Sequence, residues 1–510
     1  MSLSAISDNL LGGFAVALAP VNLGFGLIGC VLGSAVGVLP GLGPSVAISL
    51  LLPMTFGLDP TAALIMFGGI YYGAMFGGST TAILMNTPGD PAASVSTLDG
   101  YPMALQGRAG VALATAAIGS ALAGTFATFM LMVLISVLTT ATLLFGPMEY
   151  FALMLLALTT VTAVSSASPA RAALSLCAGL GLAMVGIDLQ TGEARFTFGV
   201  PDLLGGIDVV LGAIGLFAVG EVLWLMAERP ETAKPQPPTN RLWLNTQEWR
   251  RASPAWGRGT LVGFLSGMLP GSGATLAAFI AYAVEKRFSK RPQEFGKGAI
   301  EGLAAPEAAN NAAAGGAMVP LLALGIPGSA TTAVMLVAFQ LYGLQPGPSL
   351  VENNPELVWG LIASLYVANV LLIILNLPLI GMWVQLLKTP RGLLTASILI
   401  FALLGAYSLQ GSVTDIVMVL ALGAFAFLLR RFGFPVAPVL LGIVVGPLIE
   451  QELRRALTVS SSPADLLLGR PLAMAFLALA AASLLASVWQ YLPAARRRRA
   501  TRGPSLPQDD

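Results

Sequence analysis

The chain has 510 residues, 56% of them hydrophobic and 10% charged, with a formal net charge of +1 and a mean hydropathy of +0.81. An ordinary soluble domain carries roughly 25% charged residues, so this composition excludes a soluble globular protein and points to a polytopic membrane protein. The small net charge argues for no particular partner, and the absence of histidine removes the commonest general base and the commonest metal ligand.

Asp8 and the lack of a basic cluster before the first apolar run argue against a cleaved signal peptide, so the first span is expected to be retained. Apolar runs long enough to cross, about 20 residues each, lie near 14–36, 60–78, 109–138, 143–167, 170–187 and 207–227, then recur from 259 onward. The window rule gives about 12 spans. The first run closes on GSAVGVLPGLGP (Gly33 to Pro44). Its Leu-Pro-Gly-x-Gly core cannot continue a helix, because proline lacks an amide hydrogen and glycine favours loop conformations. In lipid the freed backbone groups need partners, and such a break is tolerated only inside protein or beside a water-filled cavity. A second break follows in GGSTTAILMNTPGDP (Gly77 to Pro91). The 58 glycines and 34 prolines fall within apolar runs, which fits close helix packing and broken helices. Cys30 and Cys177 lie in apolar segments, give no disulfide framework or metal spacing, and read as buried small hydrophobes.

A polar interval from Glu228 to Arg258, with six basic and three acidic side chains, divides the chain as a linker. The second half then replays the first. GFLSGMLPGSGA (Gly263 to Ala274) repeats the first break at an offset of 230 (Pro270 minus Pro40). GGAMVPLLALGIPGS (Gly315 to Ser329) repeats the second, one residue longer between Gly-Gly and Pro-Gly. The breaks stand at Pro40 and Pro88 in the first half and at Pro270 and Pro327 in the second, where the interval between them is the longer. The first half turns through the base-free FGLDP (Phe56 to Pro60), where the second inserts EKRFSKRPQEFGK (Glu285 to Lys297) with five basic residues. The positive-inside rule puts the second loop in the cytoplasm and the first outside, so the halves are expected to be inverted repeats. From that loop the chain should reach the outside at Glu352 to Glu356 and return at Lys388 and Arg391, with Arg430, Arg431 and Arg496 to Arg499 also inside. Arg454 and Arg455 fit less well and would face outside if 434–450 spans, or that segment is partly re-entrant or interfacial.

The expected fold is therefore an all-α polytopic membrane protein, with about 12 transmembrane helices in two inverted repeats and broken or re-entrant helices at the Leu-Pro-Gly and Pro-Gly motifs. Residues 1–227 form the first repeat, 228–258 the polar linker, 259–455 the second repeat, and 456–510 a C-terminal helix with a basic cytoplasmic tail.

The two breaks, with EGLAAPEAANNAAAGGAMVPLLALGIPGSATTA (Glu301 to Ala333), resemble the large membrane subunit of tripartite tricarboxylate transporters, the TctA-like family. YYGAMFGGSTTAILMNTPG (Tyr71 to Gly89), GIDVVLGAIGLFAVGEVL (Gly206 to Leu223) and RRFGFPVAPVLLGIVVGPLIEQELRRAL (Arg430 to Leu457) look like further blocks of that family, together covering most of 20–460. The resemblance implies a bacterial inner-membrane, ion-coupled uptake system for carboxylates such as citrate, with sodium as the coupling ion. It also implies two partners, a small TctB-like membrane subunit and a TctC-like periplasmic solute-binding protein. No cofactor is implied, and homo-oligomerisation is left open.

A carboxylate crossing a membrane must exchange its hydration for protein contacts without being trapped. Half-helix N-termini offer unpaired amides and a positive dipole end for this. Gly41, Leu42, Gly43, Pro44 and Ser45, and Gly271, Ser272, Gly273, Ala274 and Thr275, are placed to start such half-helices. Asn310 and Asn311 add amides beside the second Gly-Gly. Hydroxyls and unwound carbonyls make hard-oxygen cation sites, and Ser79, Thr80, Thr81 and Asn86 in the first half with Ser329, Thr331 and Thr332 in the second are the nearby oxygens. Singly, each Ser or Thr reads equally well as helix-packing glue. Glu307, after Pro306, is the candidate coupling carboxylate, since carboxylates at membrane depth are costly and usually functional; a helix-start cap or an interfacial position is its bland alternative. Glu301 lies nearer the basic loop and is the weaker candidate.

Two other functions compete. A passive anion channel would use the same oxygens without coupling. An intramembrane enzyme is disfavoured, because Ser266 has no histidine to pair with and Lys234, Lys286, Lys290, Lys297 and Lys388 all sit in polar loops or at span ends. Nucleic-acid binding has no soluble domain to carry it, and the tail arginines read as a topology anchor on the lipid bilayer.

Overall fold

A computed structural model describes residues 3–39, 41–141, 145–164, 168–188, 190–228, 243–271, 273–386, 389–459 and 470–485. Pro40, Ser272, Lys388, residues 229–242 of the polar interval with Lys234 among them, and Arg496 to Arg499 lie outside the described residues. In lipid a backbone must satisfy its own hydrogen bonds, and this chain does so almost wholly as helix. The first half contains α1 (Leu3–Ala17), α2 (Pro20–Val38), α3 (Pro44–Leu51), α4 (Pro60–Met85), α5 (Thr97–Met103), α6 (Ala109–Ala141), α7 (Pro147–Val164) and α8 (Pro169–Ala183). It closes with α9 (Val209–Ala213), a π-helical stretch Ile214–Val219, and α10 (Gly220–Ala227). The second half runs through α11 (Thr246–Gly267), α12 (Gly273–Phe288), α13 (Ile300–Leu324), α14 (Ala330–Leu341) and α15 (Pro348–Asn353). It continues with α16 (Pro355–Asn376), α17 (Ile380–Leu386), α18 (Arg391–Gln410), α19 (Val413–Arg431) and α20 (Ala437–Val459). A last apolar helix, α21, spans Pro471–Leu485. The β-structure among the described residues is one antiparallel hairpin, Gly186–Ile187 with Ala194–Arg195.

Seven helical stretches among the described residues are long and apolar enough to cross a bilayer, at Pro20–Val38, Pro60–Met85, Pro91–Leu138, Val209–Ala227, Pro355–Asn376, Gly392–Gln410 and Val413–Arg431. This is the membrane-protein class read from composition. α11, α13 and α20 are also long, but carry charged or amide side chains that lower their hydropathy.

Two helix pairs form the centre, α2 on α4 and α11 on α13, and backbone contact holds both. A β-carbon added at Gly29, Gly33 or Gly37 would fall 2.2, 2.4 or 2.3 Å from the carbonyl oxygen of Met66, Ile70 or Ala74. Added at Gly259, Gly263 or Gly267 it would fall 2.2, 2.3 or 2.3 Å from that of Ala305, Ala309 or Ala313. Small residues allow such approach where lipid supplies no hydrophobic driving force between helices. The two triads are related by an offset of 230 (263 minus 33), and their partners by one of 239 (309 minus 70). The reciprocal contacts follow the same register: Gly77 packs on Ser34 O and Gly316 on Phe264 O. Gly77 therefore corresponds to Gly316, and the interval from Gly77 to Pro88 equals that from Gly316 to Pro327 (88 minus 77, 327 minus 316). The extra residue expected from matching the Gly-Gly pairs by eye is absent.

Squeezed by these pairs, α4 and α13 are buried along nearly their whole length. On the periphery the polar interval 228–258 proves not to be linker throughout. An Asn245–Glu248 capping box starts α11 there, and its arginines reach the 285–301 region. Arg251 holds Glu301 at 2.7 Å and Arg258 holds Glu285 at 2.7 Å. Arg454 also finds a specific partner, since its guanidinium lies 2.7 Å from Asp188 at the base of the hairpin, where Arg195 joins Glu450 at 2.9 Å. Cys30 is buried as expected but Cys177 is exposed on α8. An apolar face turned to lipid carries the same sequence signal as one turned to protein.

Glycine substitution separates packing from propensity. Gly33→Ala and Gly263→Ala must push carbonyls apart, each at a cost of about 1–3 kcal/mol. Gly24→Ala, with nothing within 4 Å, is expected to be neutral or stabilising; thermal unfolding of the purified protein compares the three. Arg454, above all, holds the Asp188 carboxyl well below the usual carboxylate range. A depressed carboxylate contributes stability above its unfolded pKa, near about 4, that is lost as pH falls through the folded value. Protease sensitivity of the 184–208 loop should therefore stay low from neutral pH down to about 5 and rise only in strong acid. Arg454→Met should raise it at neutral pH.

Candidate functional site

In each half the two breaks meet. Gly41 and Gly271 turn the chain with φ of 86° and 82°, a conformation that favours glycine, and are related by the same offset of 230 (271 minus 41). α3 then starts after Gly43 and α12 at Gly273. In the second half Gly271 N donates to Gly328 O at 2.9 Å, tying break to break. In the first, a β-carbon at Gly89 would fall 1.8 Å from Gly37 O, and one at Gly43 would lie 3.5 Å from Asp90 Oδ2. The continuations cross over: the 3-10 segment Pro91–Ser96 packs on α12 and α13, and α14 packs on α3 and α4.

The crossing joins polar groups of the two halves. Glu307 is fully buried two turns into α13, so it does not cap the helix start. It accepts hydrogen bonds from Ser79 of α4 and from Ser96 of the crossing segment. Among the described residues no lysine or arginine pairs with it. Other carboxylates buried in this region are neutralised or capped differently: Glu301 by Arg251, Glu285 by Arg258, Asp99 by the Gly296, Gly298 and Ala299 amides at 2.9, 2.9 and 2.8 Å, and Asp90 by the Ala92 amide. Tyr71 of α4 meets Ser329 at 3.3 Å, and Asn311 donates to Ser120 of α6 at 2.7 Å. Asn310 is 1% exposed, and neither amide atom has a partner among the described residues. A buried amide left so is costly unless a ligand completes it.

The remaining oxygens serve mixed purposes. Ser329 and Thr332 form a capping box at the start of α14. Thr81 bonds back to Gly78 O at 3.3 Å, and Asn86 ends α4 in a left-handed conformation with φ of 57°, its side chain exposed. These four have a helix-end role in hand. Thr331 is buried within the first turn of α14, and Thr80 lines a small cavity with Ser79, Ser120 and Asn376. Ser45 and Thr275 are half-buried in the first turns of α3 and α12. A larger cavity of about 460 Å³ opens beside the second break, lined by Gly325, Gln340, Gln345, Ser349, Tyr150 and Glu452 among others.

Sequence reasoning missed Asp90, Ser96, Ser120 and Asn376. Asp90 caps the crossing segment through Ala92 N at 2.6 Å. A carboxylate inside the TPGDP break was signal enough to single it out. The other three carry no motif and join the site only through packing.

Residues 23–441 match the sequence model of the tripartite tricarboxylate transporter TctA family. An uncharacterized 52.8 kDa protein in the TAR-I ttuC' 3' region of Agrobacterium vitis is 45% identical over 492 residues, covering 96% of this chain and 97% of its own length. An uncharacterized protein in the TAR-II ttuC' 3' region of the same organism is 46% identical over 237 residues, 46% of this chain and 97% of its own length. No solved structure matches significantly.

The Glu307 network makes a stability prediction independent of transport. Glu307→Ala strands two buried hydroxyl donors, at about 1–3 kcal/mol each. Glu307→Gln keeps an acceptor and should unfold close to wild type. Thermal melts of both purified variants decide, and equal melting would remove Glu307 from the network.

Proposed function

The chain belongs to the tripartite tricarboxylate transporter TctA family, and from that we propose that it is the large permease subunit of a binding-protein-dependent secondary transporter. It imports carboxylates of the citrate type, coupled to a cation gradient for which sodium is our reading. A small membrane subunit and a periplasmic solute-binding protein complete the system, in the bacterial inner membrane. The observation that carries this reading is the Glu307 junction: a buried carboxylate of one half, without an ion-pair partner among the described residues, held by hydroxyls of the other. Such a group resists burial unless it exchanges a cation or a proton, and it lies where the two halves must slide or rock.

The two halves act as inverted repeats, 1–227 and 259–455, that alternate access. The matched glycine packing and the opposite charge of equivalent loops support this. In that orientation the cavity of about 460 Å³ beside Gly325 is the outward vestibule, and the first break, with Gly41 beside Glu221 and Leu225, faces the cytoplasmic side. The carboxylate is taken up by backbone amides at the starts of α3 and α12, around Gly43, Ser45, Gly273 and Thr275, with Gly41, Pro44 and Gly271 shaping the turns that lead into them. Asn310 supplies the side-chain amide that now lacks a partner. The tight burial of α4 and α13 supports alternating access over an open pore.

Uptake into proteoliposomes containing this chain, the small subunit and an excess of binding protein tests the reading. Uptake should follow an imposed sodium gradient and require the binding protein. Glu307→Gln should abolish the gradient-driven component while remaining folded. Flux that ignores the gradient and needs no binding protein would mean a passive channel.

A further inference from the structure

A cavity of about 10 Å³ lies between α4, α6 and α16, with Ser79, Thr80, Ser120 and Asn376 among its lining. That is room for one water or one ion. We propose that it is a binding site for a dehydrated, sodium-sized monovalent cation, distinct from the helix-end oxygens around Thr81, Asn86 and Ser329. The proposal rests on the cation-coupled reading above and gives that coupling an address.

The polar groups lining the cavity are rich in unused lone pairs. Asn376 is 4% exposed and donates its amide to Ser34 Oγ at 3.2 Å and Leu372 O at 3.0 Å. Its Oδ1 has no hydrogen-bond partner among the described residues. Ser79 spends its hydrogen on Glu307, leaving oxygen lone pairs. Ser120 Oγ accepts from Asn311 at 2.7 Å and keeps a rotatable hydrogen, as does Thr80. One amide carbonyl and three hydroxyl oxygens make a neutral, hard-oxygen donor set.

Charge favours an ion over water. Glu307 sits one hydrogen bond behind Ser79 and has no ion-pair partner among the described residues, so its ionised form would place a buried negative charge beside the cavity. A bound cation neutralises it, which a water cannot do. The absence of a carboxylate among the four polar lining groups argues against a divalent ion, which draws carboxylates into its own shell. Among the described residues no cluster of three His, Cys, Asp or Glu suits a transition metal.

Isothermal titration of the purified full chain with sodium chloride, against potassium and choline chloride, tests the site. Saturable sodium binding is expected, with potassium weaker. Asn376→Ala and the near-isosteric Thr80→Val should each weaken it by about tenfold or more, and Thr80→Val guards against loss of folding in the other. Ser408→Ala on α18, whose hydroxyl bonds only back to Gly405 O among the described residues, should leave sodium affinity unchanged. Absence of sodium binding to wild type, with Asn376→Leu melting higher, would make the cavity a packing defect and overturn the proposal. So would sodium binding that both cavity variants retain. Sodium binding lost in both variants, alongside wild-type uptake indifferent to sodium, would uphold the site and sink the coupling reading instead.

Discussion

Everything at the centre of this molecule depends on helix backbones touching. Gly29, Gly33 and Gly37 let α2 lie on the carbonyls of α4, and Gly259, Gly263 and Gly267 do the same for α11 on α13. A single methyl in any of these seams would sit well inside van der Waals contact with a main-chain oxygen. In lipid, where burying leucine against leucine gains little, such close approach supplies dispersion contacts that larger side chains would forbid. The seams also fix depth. By locking α2 to α4 in register they bring the end of α2 beside Gly77 of α4, where Gly89 folds back onto Gly37, so that the two breaks of the first half share one place.

Once the breaks coincide, the polar chemistry follows from where each chain must go next. After Asp90 the first half cannot return along α2, and the segment Pro91–Ser96 crosses to α12 and α13, carrying Ser96 to Glu307. After Ser329 the second half crosses to α3 and α4 and meets Tyr71. A buried carboxylate bonded to hydroxyls is held by weaker partners than an arginine. The arginines are placed elsewhere. Arg251, Arg258 and Arg454 pin loops and helix ends, where exchange of partners is not wanted.

The sequence made the membrane class, both pairs of breaks and the fixed offset legible, because proline, glycine and charge are strong signals in an apolar background. Glu307 was legible for the same reason. What stayed hidden is the face each apolar residue presents. Cys177 on an exposed surface and Cys30 in a helix seam have the same composition around them, and only packing separates them. Ser96, Ser120 and Asn376 were hidden likewise, since a lone hydroxyl or amide in a span is as often glue as ligand. The Gly-Gly pairs misled by their likeness: the contact of Gly316 with Phe264 O, not the doublet, sets the register.

That register has a consequence for symmetry. Carried along α4 and α13 at an offset of 239 (316 minus 77), it sets Gly68 against Glu307, Tyr71 against Asn310 and Tyr72 against Asn311. It also sets Ser79, Thr80 and Thr81 against Met318, Val319 and Pro320. The backbone seams are kept in both halves while the polar residues are not, so Glu307 comes from the second half and the helix hydroxyl that faces it from the first. A site built this way cannot be duplicated by the pseudo-equivalence of the halves. Glu307 on α13 needs Ser79 on α4, and neither has a counterpart to fall back on. The charge at the centre is therefore governed by the contact between the halves, and any motion that separates α4 from α13 must leave that carboxylate without its hydroxyls or provide a replacement for them.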